Sequence, residues 1–172
     1  MRRNKSFTLI EVILAIAIFT LCIGGSFILI QQTIISVSLA NSKLVAYYLA
    51  QEGIEMVRNI RDNNWLKQRI NPLVAWKDGL SVGAWEADYN DAALANYLDP
   101  GRNLYVDKTN GFYFYPDVPL PDHLKTNFKR KITISQGTTT DDLYIESKVE
   151  WTERTRTHNV KLYEHLFNWY GY

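Results

Sequence analysis

Residues 7–30, FTLIEVILAIAIFTLCIGGSFILI, form one apolar run in which Glu11 is the single carboxylate. As a helix these 24 residues reach about 36 Å, enough to cross a hydrocarbon core of about 30 Å with some tilt. From residue 31 the apolar positions become periodic. Val45, Leu49, Gly53, Met56 or Val57, and Ile60 mark one helical face, with Gln51, Glu55, Arg58 and Asp62 opposite. No proline interrupts 31–64. Asn63-Asn64 is the expected end, and Asn71-Pro72 prevents continuation. Glu55–Arg58 and Arg58–Asp62 are spaced for helical ion pairs of about 0.2–0.5 kcal/mol each. Gly53 costs a helix roughly 1 kcal/mol relative to Ala. On the apolar face it reads as a point of close approach by a strand or another helix.

Beyond the helix the period changes. Residues 65–103 are irregular, with Trp65, Trp76 and Trp85 spaced by glycines and short polar runs. DAALANYL (91–98) reads as one or two helical turns with Asp91 as N-cap. Asn110-Gly111, between aromatic-rich runs, predicts a hairpin across 104–115. PDVPLPD (116–122) is a rigid connector. Strands are expected at 128–135, 143–151 and 158–167, with reversals at 137–142 and 152–157. In the last strand Val160 and Leu162 face one way, with Asn159, Lys161 and Tyr163 opposite. A small sheet needs an apolar partner. The expected fold is therefore α+β: a long N-terminal helix, half membrane segment and half amphipathic, packed against a small antiparallel β-sheet.

Charge sharpens the reading of the first thirty residues. Arg2, Arg3 and Lys5 precede the apolar run without an anion, which keeps the N-terminus cytoplasmic and sends the rest outward. The run is too long for an ordinary secretory signal, and no A-x-A element follows it. Over the whole chain, 19 Lys plus Arg against 18 Asp plus Glu leave a net charge of +1. That balance argues against a broad nucleic-acid-binding surface and against an acidic tail. The one cysteine, Cys22, excludes an internal disulfide and reads as a small apolar filler. Gly24-Gly25 are either close-packing residues or a weak point in the helix. Glu11 stands out: an acid near the end of a membrane segment costs less than the roughly 2.5–3.5 kcal/mol of one at its centre, yet a partner is still expected. Residues 2, 3 and 5 can snorkel towards it. A free amine on Phe7, created by a cut after Ser6, is the other candidate.

A basic leader, FTLIE and an unbroken apolar helix together resemble the N-terminus of prepilins, the family of type IV pilins, minor pilins and pseudopilins of type II secretion. Leu49–Trp65, LAQEGIEMVRNIRDNNW, is similar to minor-pilin sequences. The resemblance implies cleavage between Ser6 and Phe7, methylation of the Phe7 amine, and docking of each subunit into a filament through Glu11. Ser6 stands where the family usually has Gly. An ion pair at Glu11 would fix register more than it adds stability, because desolvation offsets most of the attraction. The implied divisions are a leader (1–6), a transmembrane helix (7–30), its amphipathic continuation (31–64), a loop region (65–103) and an antiparallel sheet (104–172), with 31–172 forming one globular domain. The implied function is a non-catalytic structural subunit. It would start as a single-pass protein of the inner or cytoplasmic membrane and end in an extracellular or periplasmic filament. Its implied partners are other pilin or pseudopilin subunits, the prepilin peptidase/methylase, membrane lipid, and an assembly platform with its motor. The alternative is a single-pass membrane-tethered binding or adhesin protein that does not polymerise. Such a tether needs neither cleavage nor an intramembrane acid.

Signals for chemistry are sparse. No G-x-x-x-x-G-K-[ST], H-E-x-x-H, C-x-x-C or G-x-S-x-G occurs. His123, His158 and His165 are scattered, and the last two project to opposite faces of a strand. No catalytic residue, cofactor or metal is expected. Asp88, Asn90 and Asp91 are oxygen-rich but lack EF-hand spacing, and read as a polar loop. In the basic run Lys125, Lys129, Arg130 and Lys131, the two lysines 129 and 131 point outward from an expected edge strand, while Arg130 shares a face with Ile132 and Ile134. Nucleic acid is not an expected partner. The aromatic run Phe112–Tyr115, with Trp76 and Trp85, suits either a core or a sugar-stacking surface.

Overall fold

A computed structural model describes residues 8–89 and 91–169 of the chain. One helix, α1, spans Leu9–Gln68 and is about 90 Å long. Eight strands follow: β1 (Gly83–Glu86), β2 (Ala95–Asn96), β3 (Tyr105–Asp107), β4 (Tyr113–Phe114), β5 (His123–Lys125), β6 (Phe128–Gln136), β7 (Asp142–Glu153) and β8 (Arg156–Phe167). The chain forms two compact units, residues 1–42 and 43–172.

In the first unit the described residues are helix from Leu9 onward. It runs through Gly24 and Gly25 without a break, and a Cβ added at either glycine would meet nothing within 4 Å. Its few hydroxyls turn back onto the helix itself. Thr20 donates to the Ala17 carbonyl at 2.9 Å, Ser26 to Cys22 at 2.9 Å, Thr33 to Leu29 at 2.8 Å and Ser36 to Gln32 at 2.9 Å. Such bonds leave a helix surface that is apolar even where its side chains are not.

In the second unit the remainder of α1 packs on a five-stranded antiparallel sheet of order β2-β1-β6-β7-β8. Strict alternation builds the core. On β6, Phe128, Arg130, Ile132 and Ile134 face inward, and on β7, Leu143, Ile145, Ser147, Val149 and Trp151 do so. Met56, Val57 and Trp65 from the helix meet Ile132, Ile134, Ile145 and Leu166, with Trp76 and Leu80 closing the same cluster. Gly53 lets the two layers approach as its position predicts. A Cβ there would lie 2.5 Å from Ser147 Oγ and 3.1 Å from Arg130 Cδ. A second sheet, β4-β3-β5, carries the expected hairpin. Its loop ends at Gly111 (φ 77°), and the Asp107 amide bonds the Phe112 carbonyl at 3.0 Å.

Several expectations are corrected. The helix continues past Asn63-Asn64 to Gln68, because Asn64 is a buried anchor and not a cap. Its Nδ2 donates to the carbonyls of Trp76 (3.1 Å) and Asp78 (2.7 Å), and Trp65 is buried just beyond it. Arg58 pairs with Glu55 at 2.7 Å as spaced, but its second partner is Glu164 of β8 at 2.8 Å, while Asp62 pairs with Arg61. The segment 91–98 holds the two-residue strand β2, paired with β1 through Trp85↔Asn96 and Glu86↔Ala95. Ladder bonds to β1 replace the helical turns. β6 lies inside the sheet between β1 and β7, not at an edge. The β7–β8 reversal needs only Arg154 and Thr155, with Arg154 at φ 58°, so both strands extend further than expected. On β8, Val160 is buried and Asn159, Lys161 and Tyr163 are exposed, as read.

Candidate functional site

Ser6 and Phe7 lie outside the described residues. Glu11 sits in the first turn of α1, with Thr8 just ahead of the helix. The Glu11 amide donates to Thr8 Oγ1 at 3.4 Å and to the Thr8 carbonyl at 3.1 Å. Thr8-Leu9-Ile10-Glu11 is therefore a T-x-x-E start, the Thr acting as N-cap and the acid at the third helical position. A carboxylate there also faces the positive end of the helix dipole. This signal was legible in the sequence and was missed by reading Glu11 only as a membrane charge. Among the described residues no ion pair reaches Glu11, and its side chain is exposed.

The surface around that acid is uniform. Every residue from Thr8 to Ser38 is exposed, including Leu9, Phe19, Leu21 and Phe27. The helix is long and apolar enough to cross a membrane. Cys22 is exposed on it.

The other singled-out residues have structural partners. Asp88 accepts from the Tyr115 amide with both oxygens, at 2.9 and 3.1 Å, while Asp91 accepts from the Asp88 amide at 2.7 Å. Burial pushes the Asp88 carboxyl up to about 6, against the pull of the Tyr115 amide and of Arg130 and Arg102, and Asp91 adds to the rise. Asn90 lies outside the described residues. The basic run does not form one patch. Lys125 is exposed on β5, Lys129 donates to the Pro100 carbonyl at 3.3 Å, Lys131 sits 5.0 Å over the Tyr97 ring, and Arg130 is buried. Arg130 bonds Glu52 at 2.7 Å, the Leu49 carbonyl at 3.0 Å and the Ala87 carbonyl at 2.6 Å. Its inward direction was legible, but its partners were not.

The histidines all join aromatic packing: His123 on Phe114 at 4.7 Å, His158 on Trp151 at 5.4 Å and His165 on Tyr144 at 5.3 Å. Of the aromatic run, Tyr115 is buried with its hydroxyl on the Arg130 carbonyl, whereas Phe112 is exposed and stacks on Tyr89 at 4.8 Å. Trp76 is core. A pair that the residue pattern did not reveal is Glu86 with Arg102, at 2.9 Å.

Residues 1–27 match the model of the prokaryotic N-terminal methylation motif. That motif is the signature of type IV pilins and pseudopilins, so the N-terminus is type IV pilin-like, as its FTLIE segment suggests. No curated protein and no solved structure matches the chain. The motif implies interaction with other pilin subunits and with a prepilin peptidase, and with the long apolar helix it fits a membrane-anchored pilin.

Proposed function

We propose that this chain is a minor pilin or pseudopilin: a non-catalytic subunit of a type IV pilus or a type II secretion-like filament. It enters the inner or cytoplasmic membrane with residues 1–6 on the cytoplasmic side and the 43–172 unit outside. A peptidase cuts between Ser6 and Phe7, the Phe7 amine is methylated, and a platform and motor draw the subunit from lipid into the filament. There Glu11 meets a positive amine of its own or a neighbouring chain. One observation carries this reading: the methylation motif opens a helix whose exposed apolar surface extends from Leu9 through Val37 and holds a single acid. Lipid or sister helices can cover such a surface, and water cannot. Mass spectrometry of the membrane-extracted protein tests it. The expected mature chain begins at methylated Phe7. An intact Met1 beside a competent peptidase would instead favour a membrane-tethered binding protein.

A further inference from the structure

A cleft of about 290 Å³ lies beside the three-stranded sheet, walled by Arg102, Tyr105, Tyr115, Pro116, Pro119 and Lys125. Its cations are unevenly held. Arg102 Nε donates to Glu86 Oε2 at 2.9 Å, and the guanidinium carbon sits 4.9 Å from the centre of the Tyr115 ring. Fixed from two sides, Arg102 keeps both of its Nη groups without a partner among the described residues. Lys125 Nζ is likewise unpartnered there, and its side chain is exposed. Glu86 is the unusual member. It is 1 % exposed, and its Oε1 has no hydrogen-bond partner among the described residues. Burying a carboxylate with one oxygen unsatisfied is costly, and an apolar residue would serve packing better. What Glu86 secures is the orientation of an arginine fork, which lowers the ordering cost of binding an anion.

We propose that this cleft binds one acidic sugar unit, a uronate, with its carboxylate on Arg102 and Lys125 and its ring against Tyr105, Pro116 and Pro119, the Tyr115 face being taken by Arg102. Glu86 pairs with Arg102 and Asp88 lies in the same arginine's field, so the positive charge left for a ligand is that of the exposed Lys125, enough for a single carboxylate and no more. Small-molecule sites begin near ~300 Å³, so the cleft suits one ring and not an extended chain. A bare oxyanion would satisfy the fork yet leave the walls uncovered. Aromatic faces favour the C–H face of a ring instead. The inference stands on the 43–172 unit alone and holds whether or not the chain polymerises.

Calorimetric titration of the full chain in detergent micelles tests it, with methyl glucuronide, methyl glucoside and sodium sulfate as probes. The glucuronide should bind saturably, with the glucoside and sulfate each weaker by about tenfold or more, the worth of one charge-assisted hydrogen bond. Lys125→Gln touches only an exposed side chain. It should leave the melting temperature unchanged and weaken the glucuronide by about three- to tenfold. Arg102→Lys keeps the charge and loses the fork, and should weaken it further. Absent binding, equal binding of the glucoside or of sulfate, or an unaltered affinity in Lys125→Gln would each overturn the proposal.

Discussion

At the scale of single residues, Gly53 and Ser147 are coupled. Ala at 53 gains about 1 kcal/mol of helix propensity. Its Cβ, however, would meet Ser147 Oγ at 2.5 Å and Arg130 Cδ at 3.1 Å, and Arg130 is pinned at its far end. Overpacking of this kind costs about 1–3 kcal/mol, so Gly53→Ala should lower the melting temperature. Ser147 Oγ is itself buried without a partner among the described residues. Ser147→Ala should thus be neutral or stabilising, and should rescue Gly53→Ala in a double-mutant cycle read by thermal unfolding. Asp88 gives a pH dependence. Burial is the chief reason that its folded-state carboxyl titrates near 6 and not at its ordinary value of 3.8. The folded chain therefore binds this proton more tightly than the unfolded chain, and the ionised form is a cost. The stability contribution of Asp88 is greatest below the unfolded value and falls as pH rises towards about 6, then stays flat. Asp88→Asn keeps an acceptor for the Tyr115 amide and removes the charge. Relative to the parent chain, its melting temperature should gain between pH 4 and 7, with most of the gain complete near 6. A constant difference across that range would contradict the assignment.

Among the elements, α1, β1 and β6 are tied together by Arg130. One guanidinium bonds the helix at Leu49 and Glu52 and the residue just after β1 at Ala87. Arg130→Met would take the donor from the Ala87 carbonyl and the cation from Glu52, which is 30% exposed, so the loss is about 1–3 kcal/mol, that of buried polar groups left unsatisfied. Urea unfolding should show that loss, and Arg130→Lys should not restore it, because a single ammonium cannot span the three acceptors. The same clamp shows what the sequence could reveal. Alternation alone places Arg130 beside Ile132 and Ile134 on the buried face, so the need for a partner was readable. The partners themselves lie 43 to 81 residues away and belong to another period, so no local pattern names them. The long strands β6, β7 and β8 were legible because nine to twelve residues display their alternation. β1 and β2 have four and two residues, too few for a period, and their pairing is fixed by the sheet. Asn64 reads as a helix end by residue type, yet here it is spent on the carbonyls of Trp76 and Asp78. The methylation motif needed no tertiary context, whereas the Glu86–Arg102 cleft depends on a contact across sixteen residues of irregular chain.

For the molecule as a whole, the division at residue 42 separates an exposed apolar helix from a unit with its own core. The hydrophobic core lies within 43–172, and its helical part begins at Ala46. Residues 43–172 expressed alone should be a soluble monomer with one cooperative transition, whereas the full chain should require detergent or lipid; analytical ultracentrifugation separates the two outcomes. Aggregation of the shorter piece would mean that the first unit contributes to the fold. Glu11 then poses a question that only the full chain answers, because two roles overlap on it. As the third helical residue after a threonine cap, it supports the helix start. As a lone acid on an apolar surface, it is the proposed docking group. Loss of a cap costs about 1 kcal/mol, which frays one end of a 60-residue helix without dissolving it. Gln preserves the capping pattern and removes the charge, and Ala removes both. If the charge docks the subunit, Glu11→Gln and Glu11→Ala should insert into membranes normally and both be missing from filaments sheared off cells and probed by immunoblot. If Gln assembles like the parent and only Ala fails, the carboxylate serves the helix start, and filament register is set by the apolar face alone.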